Sequence, residues 1–209
     1  MSESRRTRRK DARPGEIAAA ALAVFAEKGF AATRMQDVAA RAGIAKGTLY
    51  LYFPTKEELF FAVVREALLP RLAATETWVA AQDQPAPEVL RGLLARARGM
   101  GRDGVAAIPR LVLTEAGRNP AIARFYAEQV GARGMRMVAE IIARGVKRGE
   151  FRDVDPMAIA PAVFAPVLLA MLWRDTIGRH AKGPLDPAAM IEAHAENLLR
   201  GLAPSGLAP

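Results

Sequence analysis

Four residues in one short stretch, Lys46, Thr48, Tyr50 and Tyr52, carry the side chains best suited to chemistry in this sequence. Their ammonium, hydroxyl and phenol groups all donate hydrogen bonds, and the lysine adds a positive charge. Gly47 lies among them and has no side chain, so another molecule can approach the backbone closely there. This combination is typical of non-covalent binding to an anionic surface that accepts hydrogen bonds.

Bond-making catalysis finds little support in the same sequence. The chain of 209 residues has no cysteine and two histidines, His180 and His194. No pair of carboxylates stands at a spacing that indicates acid–base catalysis, and no nucleophile has an obvious base. We therefore predict no catalytic residue, no metal site, no cofactor and no enzymatic activity. A small-molecule-binding enzyme is kept as an alternative, which a bound metal would favour.

Two short helices joined by a glycine turn are predicted to position the polar side chains. Thr33 and Gln36 have the spacing of a capping box, which begins the first of these helices, and Gly43 ends it with a sharp turn. The second helix is predicted over 45–53, because Pro54 pushes the residue before it out of helical geometry.

Leu49 and Phe53 lie four residues apart, so they can anchor the second helix to a core while the polar side chains face outward. The major groove of B-DNA admits one α-helix, whose first residues reach the base edges while the preceding helix crosses the backbone. The pattern therefore predicts a helix-turn-helix that binds double-stranded DNA.

Positive charge is concentrated at the start of the chain. Residues 1–13 hold six lysines or arginines against Glu3 and Asp11, which gives half of the net charge of +8 in a small part of the length. We predict a flexible basic arm there, suited to a polyanion, followed by a helix from Pro14 to Gly29. A solvated tail is one alternative for the arm, and a non-specific nucleic-acid-binding or architectural protein is an alternative for the chain.

Residues 14–62 resemble the TetR-type repressors, and beyond them only the helix-rich pattern and the length are similar. Helix-turn-helix spacing alone is a weak signal. The joint match, in which an aromatic run is followed by Lys56, is specific. The motifs that carry the resemblance are Thr33-Arg34-Met35-Gln36-Asp37-Val38-Ala39, Ala42-Gly43-Ile44-Ala45-Lys46-Gly47-Thr48-Leu49-Tyr50-Leu51-Tyr52-Phe53 and Lys56-Glu57-Glu58-Leu59.

The resemblance implies a DNA-contacting surface. Thr33 and Lys56 would hold phosphates, the lysine at the positive N-terminus of the next helix, and the basic arm would add minor-groove or phosphate contacts. Arg34 stands where the family has a small residue and is a secondary candidate. Each aromatic residue could instead be a packing residue, each lysine a solvated charge and Thr33 only a cap. The predicted DNA-binding residues are Thr33, Arg34, Gln36, Lys46, Gly47, Thr48, Tyr50, Tyr52 and Lys56.

The remaining sequence is predicted to be helical, which gives an all-α fold. A fourth helix begins at the capping box Thr55–Glu58, is kinked at Pro70 and continues to about Gln82. Apolar periodicity and proline or glycine breaks predict further helices over 86–100, 103–117, 120–148, 155–180 and 186–203.

We predict four parts along the chain. They are a basic flexible arm over 1–13, a helix-turn-helix DNA-binding domain over 14–58, a helical ligand-binding and dimerisation domain over 59–203, and a frayed tail over 204–209. The polar, basic start is unlike a secretory leader, so we predict a cytoplasmic protein.

Residues 157–173 are uncharged but number only 17, fewer than the roughly 20 that cross a bilayer. We predict a buried core or interface helix and no membrane partner. The resemblance implies a homodimer in which the last two long helices of each subunit pair as a four-helix bundle. Pro161 and Pro166 are unusual in such a helix and put its straightness in doubt.

The resemblance also implies a pocket for a small-molecule effector, between the kinked fourth helix and the helices after it. We expect a small, largely apolar ligand, although side chains of this kind are more often plain core. Glu115 could face a cationic ligand, but we favour a surface position for it. The candidate lining residues are Trp78, Leu111, Glu115, Phe125, Tyr126, Met135, Phe164, Met171 and Trp173.

Overall fold

The computed structural model of the chain describes residues 3–97, 104–175, 178, 180 and 186–204. Regular structure in this part of the chain is helical throughout and includes no strand, which confirms the all-α fold. The helices are α1 (Glu3–Lys28), α2 (Met35–Arg41), α3 (Lys46–Tyr52), α4 (Lys56–Val63), α5 (Leu69–Ala80), α6 (Ala86–Ala97), α7 (Ala107–Glu115), α8 (Pro120–Tyr126), α9 (Ala132–Lys147), α10 (Pro156–Asp175) and α11 (Pro187–Leu202).

The chain divides into two compact units. The first contains Met1–Arg71 and Gly104–Ala127, and the second contains Leu72–Asp103 and Glu128–Pro209. The first unit thus holds α1 to α4 together with α7 and α8, and the second holds α6 and α9 to α11. The domain boundaries predicted from the sequence stay predictions.

The first helix begins at Glu3, so the start predicted at Pro14 is wrong. The segment 3–13, predicted as an arm, continues the helix, and most of its residues are arginine, lysine or glutamate, which have high helix propensity. Pro14 lies inside the helix, where it has no N–H to donate to the carbonyl of Lys10. The sequence rule that places proline in a first turn therefore gave the wrong boundary.

Two glycines with positive φ form the turns after α1 and α2. Gly29 has a φ of 78° and Gly43 a φ of 65°, a region that glycine adopts without a Cβ penalty. The Gly29 N–H donates to the Phe25 carbonyl at 2.9 Å, and the Ile44 N–H donates to the Ala39 carbonyl at 3.0 Å. The predicted helix end at Gly29 and the predicted sharp turn at Gly43 are both confirmed.

Three buried phenylalanines join α1 to α4 in the first unit. The rings of Phe25 and Phe30 stack with centroids 5.5 Å apart, and the ring of Phe60 meets them edge-on at 6.0 and 5.7 Å. Such pairs add about 0.5–1.5 kcal/mol beyond the area they bury. The cluster therefore fixes the two helices that flank α2 and α3 in the sequence.

A π-helical turn, Val64–Leu68, precedes Pro70. A proline ring clashes with the carbonyl four residues earlier, here that of Glu66, and a π turn changes the local spacing of the helix. The distortion predicted at Pro70 is thus found as a π turn between α4 and α5. A second π turn, Ala127–Gly131, separates α8 from α9 within the helix predicted over 120–148.

The core of the second unit is built from residues of α6, α9, α10 and α11. Ile141 and Ile142 of α9 and Leu90 of α6 are almost fully buried in it. The start of α11 is capped by Asp186, whose carboxylate accepts from the Ala188 N–H at 2.8 Å.

The later helices lie close to their predicted positions, with shorter ends. The helix predicted over 103–117 is found at Ala107–Glu115, that over 155–180 at Pro156–Asp175 and that over 186–203 at Pro187–Leu202. The predicted helix residues 98–100, 103, 176, 177 and 179, the first two arm residues and the tail residues 205–209 lie outside the described residues.

Gly145 of α9 leaves room for two buried neighbours, so Gly145→Ala should destabilise the protein by about 1–3 kcal/mol through overpacking. A methyl group there would collide with the Phe151 ring and lie 2.9 Å from the Ala86 side chain. Gly134→Ala in the same helix is the control, because its methyl group would meet the Phe164 ring at an ordinary 3.7 Å. Urea unfolding measures both, and equal stability of the two variants would contradict the packing.

Candidate nucleic-acid interface

α3 buries one face and exposes the other. Leu49 is fully buried and Phe53, directly after the helix, is 8% exposed, as predicted for the two anchors. Lys46, Gly47 and Tyr50 are exposed. Helical spacing puts Gly47 opposite Leu49, whereas Lys46 and Tyr50 lie toward the side of the helix. The helix therefore carries an exposed edge, and its polar residues belong to that edge.

The best exposed polar groups of α3 are those of Lys46 and Tyr50. The Lys46 ammonium lies 5.8 Å from the centroid of the Tyr50 ring, which is 41% exposed. Such a cation–ring contact aligns the two side chains one helical turn apart. Thr48 and Tyr52 are half-buried.

Leu51 also projects from α3, and the sequence analysis did not include it among the contact residues. Its side chain is 85% exposed, although leucine in a folded domain is usually buried. The spacing from Gly47, four residues earlier, is the signal that places it on the exposed edge. We call Lys46, Gly47, Tyr50 and Leu51 the outer ridge.

Thr33 does not cap α2, so the capping box predicted for Thr33 and Gln36 is wrong. Its side chain is 3% exposed, and its hydroxyl donates to the Gly29 carbonyl at 2.6 Å. This bond pairs a carbonyl that the end of α1 leaves without a helical partner. Thr33 thus joins the two helices.

The residue that precedes α2 is Arg34, and Asp37 supplies the cap. The Arg34 N–H donates to the Asp37 carboxylate at 3.1 Å. Only this half of a capping box forms, since a guanidinium offers no acceptor. The bond to Arg34 and the neighbouring Lys28 ammonium lower the pKa of Asp37 below its usual value. The Arg34 and Gln36 side chains remain exposed.

Two ion pairs connect α2 to α1. The Lys28 ammonium lies 3.1 Å from the Asp37 carboxylate, and the Arg41 guanidinium lies 2.8 Å from the Glu27 carboxylate. Exposed pairs contribute about 0–1 kcal/mol each, so their main effect is on the angle at which α2 meets α1.

Lys56 is occupied by the protein's own backbone. Its ammonium donates to the carbonyls of Phe30, Ala31 and Thr33 at 2.7, 3.2 and 3.0 Å, and it lies 4.5 Å from the centroid of the Phe30 ring. An ammonium has three N–H donors, so these bonds use all of them. The side chain that the resemblance assigns to a phosphate fastens the start of α4 to the turn between α1 and α2.

The predicted pocket residues are divided between the two units. Leu111, Glu115, Phe125 and Tyr126 belong to the first unit, whereas Trp78, Met135, Phe164, Met171 and Trp173 belong to the second. Their role in binding a ligand stays a prediction.

Several of the candidates have a defined environment within the first unit. Glu115 is buried at 9% exposure, so the surface position considered for it is wrong. The Phe125 ring stacks on the Phe61 ring at 4.3 Å. Burial raises the pKa of the Tyr126 phenol to about 12, so it is a neutral hydrogen-bond donor at neutral pH.

In the second unit, a groove lies between α5 and α9, and none of the predicted candidates lines it. Its walls carry charged side chains, among them Arg133, which pairs with Glu76 through two hydrogen bonds of 3.0 and 2.5 Å. Sequence reasoning missed this groove because it searched for aromatic and apolar residues. The arginines spaced along α9 are a sequence signal for the charge of its lining, but not for the pairing of α9 with α5.

The fold and the outer ridge define a helix-turn-helix DNA-binding protein. Residues 17–63 match the family model for bacterial regulatory proteins of the tetR family, and residues 88–182 match a tetracyclin-repressor-like C-terminal domain. The chain belongs to the TetR family of bacterial transcriptional regulators. It is therefore a non-enzymatic regulator that binds DNA, as predicted.

Curated relatives agree with this assignment. The HTH-type transcriptional regulator YfiR of Bacillus subtilis is 31% identical over 161 residues, which cover 74% of this chain and 76% of YfiR. The HTH-type transcriptional repressor KstR2 of Mycobacterium tuberculosis is 30% identical over 155 residues, covering 69% and 74%.

Solved structures share the fold. A transcriptional regulator from Saccharomonospora viridis, in complex with choline, aligns with a TM-score of 0.75 and 22% identity over 93% of this chain and 98% of that one. FadR from Bacillus subtilis, in complex with stearoyl-CoA, aligns with a TM-score of 0.73 and 22% identity over 90% and 98%.

Lys56→Met should lower the free energy of unfolding by about 1.5–3 kcal/mol, since three carbonyls lose a charged donor and two of these hydrogen bonds are part-buried. Lys46→Met is the matched control: its ammonium is exposed and its loss should change stability by no more than about 0.5 kcal/mol. Thermal and urea unfolding measure the difference. If the two variants unfold alike, the bonds to the turn contribute nothing.

Proposed function

We propose that the chain is a ligand-responsive repressor that binds a near-palindromic operator as a homodimer in the cytoplasm and is released by a small, largely apolar molecule. The observation that carries the DNA-binding part is the outer ridge, where charge, phenol and apolar surface project from a helix anchored by Leu49. A helix of this kind fits the major groove, with α2 across the backbone.

Each residue type of the proposed surface has a partner on DNA. Lys46 suits a phosphate or a guanine edge, the Tyr50 hydroxyl suits a phosphate, and Leu51 suits the methyl group of thymine. Gly47 allows the backbone to approach. Thr48, Tyr52, Arg34 and Gln36 are proposed to contact DNA around the ridge, whereas Thr33 and Lys56 would act there only if DNA replaced the bonds they make.

Tyr50→Ala and Lys46→Ala should each weaken operator binding about tenfold or more, because each removes a contact of about 1–3 kcal/mol while Leu49 stays in place. The measurement is a gel shift on a site selected from random DNA, with random competitor DNA present. Circular dichroism and sedimentation should show folded protein of unchanged size. Wild-type affinity in both variants would refute the assigned surface.

The basic arm is proposed to bind phosphates. Replacing Arg5, Arg6, Arg8 and Arg9 by alanine should flatten the dependence of log affinity on log salt by up to about 0.9 per lost phosphate contact. Operator binding is titrated at several salt concentrations for wild type and variant. An unchanged slope would mean that the arm makes no contact with DNA.

α10 supports the proposed homodimer. Among the described residues one helix is long and apolar enough to cross a membrane, and its window Pro156–Trp173 has a mean hydropathy of 1.9 with 22% buried within the chain. Met157 is 56% exposed and Leu169 is 50% exposed. Apolar surface of this extent on a DNA-binding protein favours a subunit interface.

Leu169→Glu should convert the dimer to a monomer, because it places a charge in the proposed apolar interface. Operator affinity should fall at least tenfold, since two half-sites would no longer be bound together. Leu113→Glu on α7 is the matched control, since Leu113 is also 50% exposed. Analytical ultracentrifugation measures the state, and a dimeric Leu169→Glu protein would contradict an interface through α10.

Repression and ligand control are each proposed from similar proteins. The relative KstR2 is named a transcriptional repressor, and the FadR and Saccharomonospora viridis structures hold stearoyl-CoA and choline. A coupling of about 1–3 kcal/mol between effector and operator binding suffices for a switch. The nine candidate pocket residues remain part of this proposal.

A further inference from the structure

The groove between α5 and α9 has a volume of about 350 Å³, within the range of small-molecule sites. It lies wholly in the second unit. Its lining combines apolar residues with charged ones, and the residues are Glu76, Val79, Ala80, Arg133, Arg136, Met137, Glu140, Ile141 and Arg144.

The charges of the groove are not balanced. Three arginines face two glutamates in its lining, which leaves one formal positive charge. Arg133 and Glu76 neutralise each other through their two hydrogen bonds, while Arg136 and Glu140 are exposed to water. The excess therefore resides with Arg144, the remaining guanidinium of the lining.

Arg144 is held in place but only partly paired. Its Nη1 donates to the Gln82 carbonyl at 3.0 Å. Its Nε and Nη2 are buried and have no hydrogen-bond partner within the described part of the chain. A buried donor without a partner costs about 1–3 kcal/mol, and more when it is charged, so such donors call for a ligand, an ion or a water molecule.

The two unpaired donors form one recognition edge. Nε–H and one Nη2–H of a guanidinium point the same way and match the two oxygens of a carboxylate. The bond from Nη1 to Gln82 fixes the plane of the group. Because both unpaired donors are buried, the groups that cover this edge must move aside before a carboxylate can pair with it. An ammonium in the same place could not make the paired contact.

Part of the lining is apolar. Val79, Met137 and Ile141 are 7%, 6% and 1% exposed, and they belong to the core of the second unit. Hydrocarbon placed against them would be removed from water at about 25 cal/mol per Å². The lining of the groove thus combines the Arg144 guanidinium with apolar side chains.

We propose that this groove binds a small organic monocarboxylate with an apolar body, its carboxylate on the Nε–Nη2 edge of Arg144. The single excess positive charge favours a monoanion over a dianion. That the groove binds such a ligand is argued from the groove alone. That this ligand is the effector rests on the proposed function, and the effector would then be an amphipathic anion in place of a largely apolar molecule.

The test uses the full chain and two carboxylates with different apolar groups, octanoate and naphthalene-2-carboxylate. The neutral primary amide of each is the matched control ligand. Isothermal titration calorimetry measures all four. Wild type should bind at least one carboxylate at least tenfold more tightly than its amide. Arg144→Met should lose that preference, and Arg144→Lys, which keeps the charge without the paired edge, should retain only part of it.

Arg91→Met is the matched control, because Arg91 is exposed on α6 in the same unit and outside the groove. It should bind like wild type. If Arg144→Met unfolds, Arg144→Lys carries the test. A wild type that binds no carboxylate, or binds it no better than the amide, overturns the proposal. Unchanged preference in both Arg144 variants overturns it as well.

Operator binding separates the site from its regulatory role. If the preferred carboxylate weakens the gel shift of wild type but not of the Arg144 variants, the groove is the effector site. Carboxylate binding that leaves operator affinity unchanged would overturn the effector role and keep the binding site. A chain that selects no DNA sequence would overturn the proposed function while the calorimetric result stands.

Discussion

The burial of Leu49 is the constraint on which the DNA-facing surface depends. α3 has seven residues, too few to be stable alone, so its rotation is set by the side chain that it buries. With Leu49 inside and Phe53 following one turn later, Gly47 and Leu51 face away from the core, and Lys46 and Tyr50 are exposed toward the side. The surrounding contacts also help to orient α3, because the phenylalanine cluster joins α1 to α4 and Lys56 binds α4 to the turn before α2. The buried Leu49 side chain and a few polar contacts thus orient the outer ridge.

Local signals predicted much of the first unit, and long-range contacts account for what they missed. Each of the turns at Gly29 and Gly43 depends on a single residue with positive φ, and a glycine at such a position can be read directly from the sequence. Thr33 was assigned to a cap because its neighbours in sequence fit one, whereas its hydroxyl bonds back to the end of α1. Lys56 was assigned to phosphate from the family resemblance and its place at the start of a helix, yet its three partners lie more than twenty residues away. The groove could not be predicted, since it needs α5 and α9 side by side.

The second unit holds two features that a folded domain normally avoids. α10 exposes apolar surface, and Arg144 buries two charged donors without a partner in the described chain. The exposed surface of α10 is extended and apolar, whereas the unpaired donors of Arg144 are local and polar. Under the proposed function a second subunit covers α10, and a ligand accepts hydrogen bonds from Arg144. Dimerisation would then remove the cost of the exposed apolar surface, and ligand binding would remove the cost of the unpaired donors. Both events would involve helices of the same core.

The central claim is that α3 lies in the major groove of its operator. Methylation interference on a selected site tests it most directly, because guanine N7 lies in the major groove and adenine N3 in the minor groove. The account predicts interference at guanine N7 in two clusters related by a dyad, about one helical turn or slightly more apart. Interference confined to adenine N3, with none at guanine N7 in a guanine-containing site, would contradict it.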